Sequence, residues 1–125
     1  MQAMVIDDCD VTRLLLARML GRLGYEVIEA TNGKEALDLL TGERKPRIIF
    51  VDWSMPEMDG LSFIRAVRAA NQYQDVPILM VTTETEMRHV AQALTAGANE
   101  YVMKPFTKQV ILEKLSLLGL SQTES

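Results

Sequence analysis

The sequence predicts a doubly wound α/β domain, a parallel sheet with helices on both faces. Two observations carry this: short apolar runs alternate strictly with stretches of helical periodicity, and the connections between them are short. Alternation of this kind means parallel strands joined by right-handed crossovers. The first run, Ala3–Ile6, is followed by Leu16, Met19, Leu20 and Leu23 at three- and four-residue steps, a helix with one buried face that should stop at Gly24. Tyr25–Ile28 is the second strand. Asn32 with Glu35 then reads as a capping pair for a helix that buries Ala36, Leu37 and Leu40 and stops near Gly42. Ile48–Val51 is the third strand, and Asp59 precedes a helix with Phe63, Ile64, Val67 and Ala70 on its inner face. Ile78–Val81 is the fourth; Thr83 with Glu86 suits the start of a helix facing inward through Met87, Val90, Ala91 and Leu94, with Gly97 as its stop. Tyr101–Met103 is the fifth strand, and Ile111, Leu115 and Leu118 mark the last helix. Residues 1–120 are expected to form one domain, with a polar tail, "SQTES", that frays.

A chain of 125 residues suits one core, and 48% apolar with 24% charged residues is the balance of a soluble globular protein. No apolar run approaches the roughly 20 residues of a membrane span, and "MQAMVIDD" lacks the features of a signal peptide, so a cytoplasmic protein without membrane contact is expected. One cysteine, Cys9, leaves no internal disulfide or cysteine-based metal cage. A net charge of −4 gives no footprint for nucleic acid, so partners should be proteins or small cations. A monomer is expected.

In an open parallel sheet, ligands bind outside the carboxyl ends of the strands. Strand one ends in Asp7 and Asp8, strand three in Asp52, strand four in Thr82 and Thr83, and strand five in Lys104 followed by Pro105. Each has an ordinary reading: an aspartate after a strand caps a helix or makes a turn, with Asp10 the better cap for the first helix, and a threonine favours strands. Convergence outweighs those readings, because complementary charges from four strands meet at one sheet edge.

Carboxylates gathered within about 4 Å repel by roughly 4 kcal/mol per pair at an effective dielectric near 20, so they must protonate or hold a cation. An all-oxygen cluster suits a hard divalent ion, and Mg²⁺ best, since it takes few carboxylates and completes its shell with water and phosphate oxygens. A carboxylate between Mg²⁺ and a lysine is a nucleophile for phosphoryl transfer. Asp52 would attack, with the metal, Lys104 and the Thr82 hydroxyl each taking one phosphoryl oxygen.

"IDD" at 6–8, "VDWSMPEMDG" at 51–60, "MVTTE" at 80–84 and "AGANEYVMKPF" at 96–106 resemble the acidic pair, phosphoacceptor loop, switch threonine and lysine–proline signature of response-regulator receiver domains. The likeness runs from Met4 to about Leu118, and Trp53 and Tyr101 look especially like the single-domain chemotaxis regulators. It implies a flavodoxin-like fold with five strands in the order 2-1-3-4-5 and five helices, an order for which a chemotaxis member of that family is a standard illustration. It also implies that Asp52 accepts a phosphoryl group from a sensor histidine kinase or a histidine phosphotransfer protein. Asp8, Asp52 and the Ser54 backbone carbonyl would ligate Mg²⁺, Asp7 would act mainly through water, and Lys104 would contact the phosphoryl group ahead of a commonly cis Pro105. Thr82 would move toward the phosphate and Tyr101 turn inward, changing the face of helix four, strand five and helix five that meets a downstream effector protein. The chain would promote its own phosphorylation and dephosphorylation without being an enzyme in the turnover sense, with Ser54 and Glu84 tuning the lifetime. Chemotaxis or motility control is the setting the likeness suggests.

Other residues read more plainly. Cys9 suits a small buried side chain, His89 an exposed position, and Arg13, Arg18 and Arg22 a solvated face, with kinase docking as the alternative. Tyr101 outside its motif would be a half-buried strand aromatic, and the methionines are mostly packing. One rival is a Mg²⁺-dependent phosphohydrolase with an aspartyl nucleophile, weakened by Ser54 standing where such enzymes place a second acid. The other is a phosphate sink or relay with no effector.

Overall fold

The computed structural model describes residues 1–40 and 44–120, apart from the side chains of Glu84 and Thr85. Gly42 and the 121–125 tail therefore lie outside the described residues. Five strands, β1 (Gln2–Ile6), β2 (Glu26–Ala30), β3 (Ile48–Asp52), β4 (Ile78–Thr82) and β5 (Glu100–Met103), form one parallel sheet in the order β2-β1-β3-β4-β5. The helices are α1 (Asp10–Arg22), α2 (Gly33–Leu39), α3 (Gly60–Ala69), α4 (Val90–Ala96) and α5 (Lys108–Leu117).

Alternation along each strand sorts the core into two layers. Met4, Ile6, Ile49, Val51, Ile78 and Met80 pack with Phe63, Ile64 and Val67 of α3, Ala36 of α2 and Ala93 of α4. Ala3, Val5, Ile48, Phe50, Leu79 and Val81 pack on the other side with Leu16 and Leu20 of α1 and Ile111 and Leu115 of α5. Strands β3 and β4 are buried along their whole length, as two-faced coverage requires.

The local start signals act as read at two helices. The Asn32 carboxamide accepts from Glu35 N–H at 2.8 Å, and the Asp59 carboxylate accepts from Ser62 N–H at 2.8 Å. Glu35 reaches back one residue further than a capping box would, to the N–H and hydroxyl of Thr31. Gly24 and Gly97 adopt φ of 99° and 129°, left-handed values that stop α1 and α4 cheaply only with glycine.

Four expectations are corrected here. Asp10 is the first residue of α1 and Cys9 its N-cap, with the cysteine N–H bonded at 2.9 Å to the Asp7 carboxylate instead. Cys9 is exposed, not buried: as the N-cap it stands at the end of α1 and not on the helix's inner face. The Thr83–Glu86 pair opens a 3-10 turn, Glu84–His89, before α4 begins at Val90. Three residues per turn there shift the helical phase. The inner face of α4 is consequently Val90, Ala93 and Ala96, while Ala91 and Leu94 face outward. The second strand also starts one residue later and runs two further than its apolar run, since pairing with β1 continues to Ala30.

Candidate functional site

The sheet order reverses between β1 and β3, so the crevice at their carboxyl ends is the topological switch point. Register brings Ile6 beside Val51, which puts Asp7 next to Asp52 one step on. Asp7 and Asp52 are buried polar residues, and Asp8 is exposed at the rim. One carboxylate oxygen from each of Asp7, Asp8 and Asp52 lies within 4.8 Å of the others. Lys104, following β5, lays its ammonium between the two buried acids, 3.1 Å from Asp7 Oδ2 and 3.3 Å from Asp52 Oδ1. Its backbone N–H donates to Thr82 O at 2.6 Å, tying the end of β5 to the end of β4, and the Lys104–Pro105 bond is cis.

Burial pushes the Asp52 carboxyl up to about 7, helped by the negative charge of Asp7 and opposed by Lys104, with Glu86 adding to the rise. For Lys104, burial pulls the ammonium down, but the charges and hydrogen bonds of Asp52 and Asp7 outweigh it and hold it above its ordinary value. The site holds more negative charge than one lysine balances.

The donor set fits Mg²⁺. Three carboxylates and no imidazole or thiolate offer hard oxygen ligands, and their spread is comparable with the roughly 4 Å across an octahedral Mg²⁺ shell. With all three ionised, one lysine leaves a deficit that a divalent cation fills.

Thr82 ends β4 fully buried, its hydroxyl 3.3 Å from Thr83 O and 3.5 Å from a Glu86 carboxylate oxygen. Tyr101 on β5 is half-buried, and Lys114 sits 4.6 Å over its ring while pairing with Glu100 at 2.8 Å. The Ser54 side chain is exposed in the loop after β3. Glu84 begins the 3-10 turn, and its side chain lies outside the described residues.

Three residues near the site escaped the sequence reading. Arg13 is not on a solvated face: its side chain is 12% exposed and its guanidinium donates to Asp7 O at 2.8 Å, Asp10 at 2.6 Å and Glu29 at 3.2 Å, bracing the turn that carries the acidic pair. Its three-residue spacing from Asp10 was the available signal. His89 is half-buried rather than exposed, with its ring stacked on Trp53 at 4.5 Å and 8°. Nothing local signals that contact, since it joins two loops. Glu86 was legible as a cap but not as a neighbour of Thr82.

Gly60 explains the last letter of the phosphoacceptor-like motif. A Cβ there would stand 2.5 Å from Asp52 O and 3.0 Å from Trp53 Cα. Gly60→Ala is therefore expected to lower stability by about 1–3 kcal/mol, read by urea unfolding, and to weaken Mg²⁺ binding by displacing the end of β3. An unaltered urea midpoint would show that the backbone gives way freely at this point.

A flavodoxin-like sheet with acids and a lysine gathered at its switch point defines a class, the small α/β signal receivers. The sequence matches the response regulator receiver domain family over residues 3–116, and the chain belongs to that family. It is a receiver of two-component signalling. A chemotaxis protein CheY homolog of Campylobacter jejuni is 46% identical to it, covering 99% of this chain and 97% of the relative. Chemotaxis protein CheY1 of Helicobacter pylori (strain J99) is 44% identical over 94% of this chain and 96% of its own. Among solved structures, chemotaxis response regulator CheY4 of Vibrio cholerae superposes with a TM-score of 0.86 at 34% identity, covering 94% of this chain and 97% of that one. Among the described residues, no helix is long and apolar enough to cross a membrane.

Proposed function

We propose that the chain is a phosphorylation-activated switch of the chemotaxis type, with Asp52 the phosphoacceptor. The observation that carries this reading is the ammonium of Lys104 held between Asp7 and Asp52 at 3.1 and 3.3 Å, at the rim where Asp8 completes an oxygen cluster. Asp52 attacks phosphorus, the P–N bond of a phosphohistidine on the kinase or phosphotransfer partner breaks, and the imidazole leaves with a proton from solvent. Asp8, Asp52 and the Ser54 carbonyl would hold Mg²⁺, with Asp7 acting through water, and the ion supplies charge neutralisation at the phosphoryl oxygens. Lys104 takes one of those oxygens by exchanging its ion pairs for a new one, and the Thr82 hydroxyl takes another. The same groups then serve dephosphorylation, with Ser54 and Glu84 flanking the path of water.

The output is carried by Thr82 and Tyr101. When Thr82 bonds the phosphoryl group, the Tyr101 ring follows into the vacated space and leaves its contact with Lys114, which remodels the face of α4, β5 and α5. An effector protein binds that face. The chain acts in the cytoplasm as a monomer, and its likeness to chemotaxis proteins supports a place in chemotaxis.

Trp53 gives the test. It adjoins Asp52 and stacks on His89, so its emission is expected to change on adding Mg²⁺ and again with beryllofluoride or acetyl phosphate. No change at either addition would count against the site. Repeated turnover of a generic phosphomonoester would instead favour the phosphohydrolase, and a pull-down in which no partner depends on beryllofluoride would favour the phosphate sink.

A further inference from the structure

We infer that Glu86 is a positioning residue that opposes phosphorylation: its carboxylate engages the Thr82 hydroxyl in the resting state and keeps a negative charge beside the position that a phosphoryl oxygen must take. The inference rests on the roles proposed above for Thr82 and Asp52.

The geometry begins with the turn that joins β4 to α4. One Glu86 oxygen accepts from Thr83 N–H at 3.2 Å and lies 3.5 Å from Thr82 Oγ1, so it sits over the last residue of β4. Thr82 is fully buried, and its hydroxyl has one proton, shared between Thr83 O at 3.3 Å and Glu86. Donating that proton to a phosphoryl oxygen means surrendering both contacts. A carboxylate is the stronger of the two acceptors, so Glu86 is the competitor that matters.

Its charge bears on the same step. Glu86 lies against the hydroxyl that is to meet the phosphoryl group, so its negative charge stands beside the place where phosphoryl oxygens must bind. A phosphoryl group brings about two further negative charges to the same place. Glu86 must then withdraw or be held there against repulsion.

Withdrawal has a visible consequence. Glu86 and His89 belong to one 3-10 turn, pinned at its start by Glu86 and at its end by the stack of His89 on Trp53. Swinging Glu86 out turns the segment and disturbs the stack, and Trp53 reports it.

A capping role alone would also explain Glu86, and Glu86→Gln separates the two. Glutamine keeps an acceptor for Thr83 N–H and removes the charge; Glu86→Ala removes both. The wild type, Glu86→Gln and Glu86→Ala are titrated with beryllofluoride at saturating Mg²⁺, following Trp53 emission, and labelled with subsaturating acetyl phosphate; thermal unfolding is measured in parallel. Glu86→Gln is expected to reach half-saturation at about fivefold lower beryllofluoride and to label correspondingly faster. That gain should shrink as salt rises, as a charge effect must. Glu86→Ala should show a similar gain with a lower unfolding midpoint, since its cap is lost. Half-saturation in Glu86→Gln equal to that of the wild type, whatever Glu86→Ala does, would leave Glu86 a cap and overturn this inference alone. Absence of any response in the wild type would overturn the phosphoryl reading itself, and this inference with it.

Discussion

Asp52→Asn is expected to lose phosphoryl incorporation by at least about a thousandfold while keeping its fold. The reason lies in what the amide cannot do. A carboxamide has the shape of the carboxylate, so the end of β3, which is buried throughout, keeps its packing. It has no anionic oxygen to attack phosphorus and cannot form the acyl phosphate. Lys104 retains its second partner, Asp7 at 3.1 Å, so the ammonium is not orphaned by the change. Intact-mass measurement after acetyl phosphate treatment should show one added phosphoryl group on the wild type and none on the variant. Labelling of the variant at the original rate would move the acceptor elsewhere, and Asp7, the other buried acid, would be the first to examine.

The fold was legible in the sequence because its signals are local. Strand cores such as Ile48–Val51 and cap residues such as Asn32 and Asp59 act through their own neighbours, and the structure places them as read. The acid cluster was legible for a topological reason: in a parallel sheet the last residue of every strand comes to the same edge, so Asp7, Asp52, Thr82 and Lys104 needed no contact prediction. What stayed hidden depends on side chains crossing between loops. The stack of Trp53 on His89 joins residues far apart in the chain, and the threefold bracing by Arg13 needs β2 to lie beside β1. The phase of α4 failed for a different cause, since a 3-10 turn has the same composition as a first helical turn but a tighter period.

The second large effect is on stability. With EDTA present, the wild type is expected to lose stability as pH rises from about 4 to 7, the reverse of the usual behaviour of a paired carboxylate. Asp52 is pushed up to about 7 from an ordinary value of 3.8, by burial first and Asp7 second, so the folded state binds its proton more tightly than the unfolded chain does. The stabilisation from that proton is complete below the unfolded value, declines as pH climbs between the two values, and is gone above the folded one. A rise of this size corresponds to about 4 kcal/mol across the window, an upper bound for a site that water can reach. Asp52→Asn should flatten the slope and be the more stable protein at pH 8, because an amide does not have to ionise inside the crevice. Added Mg²⁺ should restore the wild type and leave the variant less changed, since the ion binds the ionised carboxylate. Urea unfolding at four pH values, with EDTA or Mg²⁺, measures all of this. Wild-type stability that climbs through the window, or a slope unaltered in Asp52→Asn, would mean that Lys104 already balances the crevice without a metal. The crowding of Asp7 and Asp52 is a cost to the fold that a proton on Asp52 removes at low pH and a divalent cation would remove at high pH, and because the cation would favour the ionised carboxylate it would favour the form that attacks phosphorus.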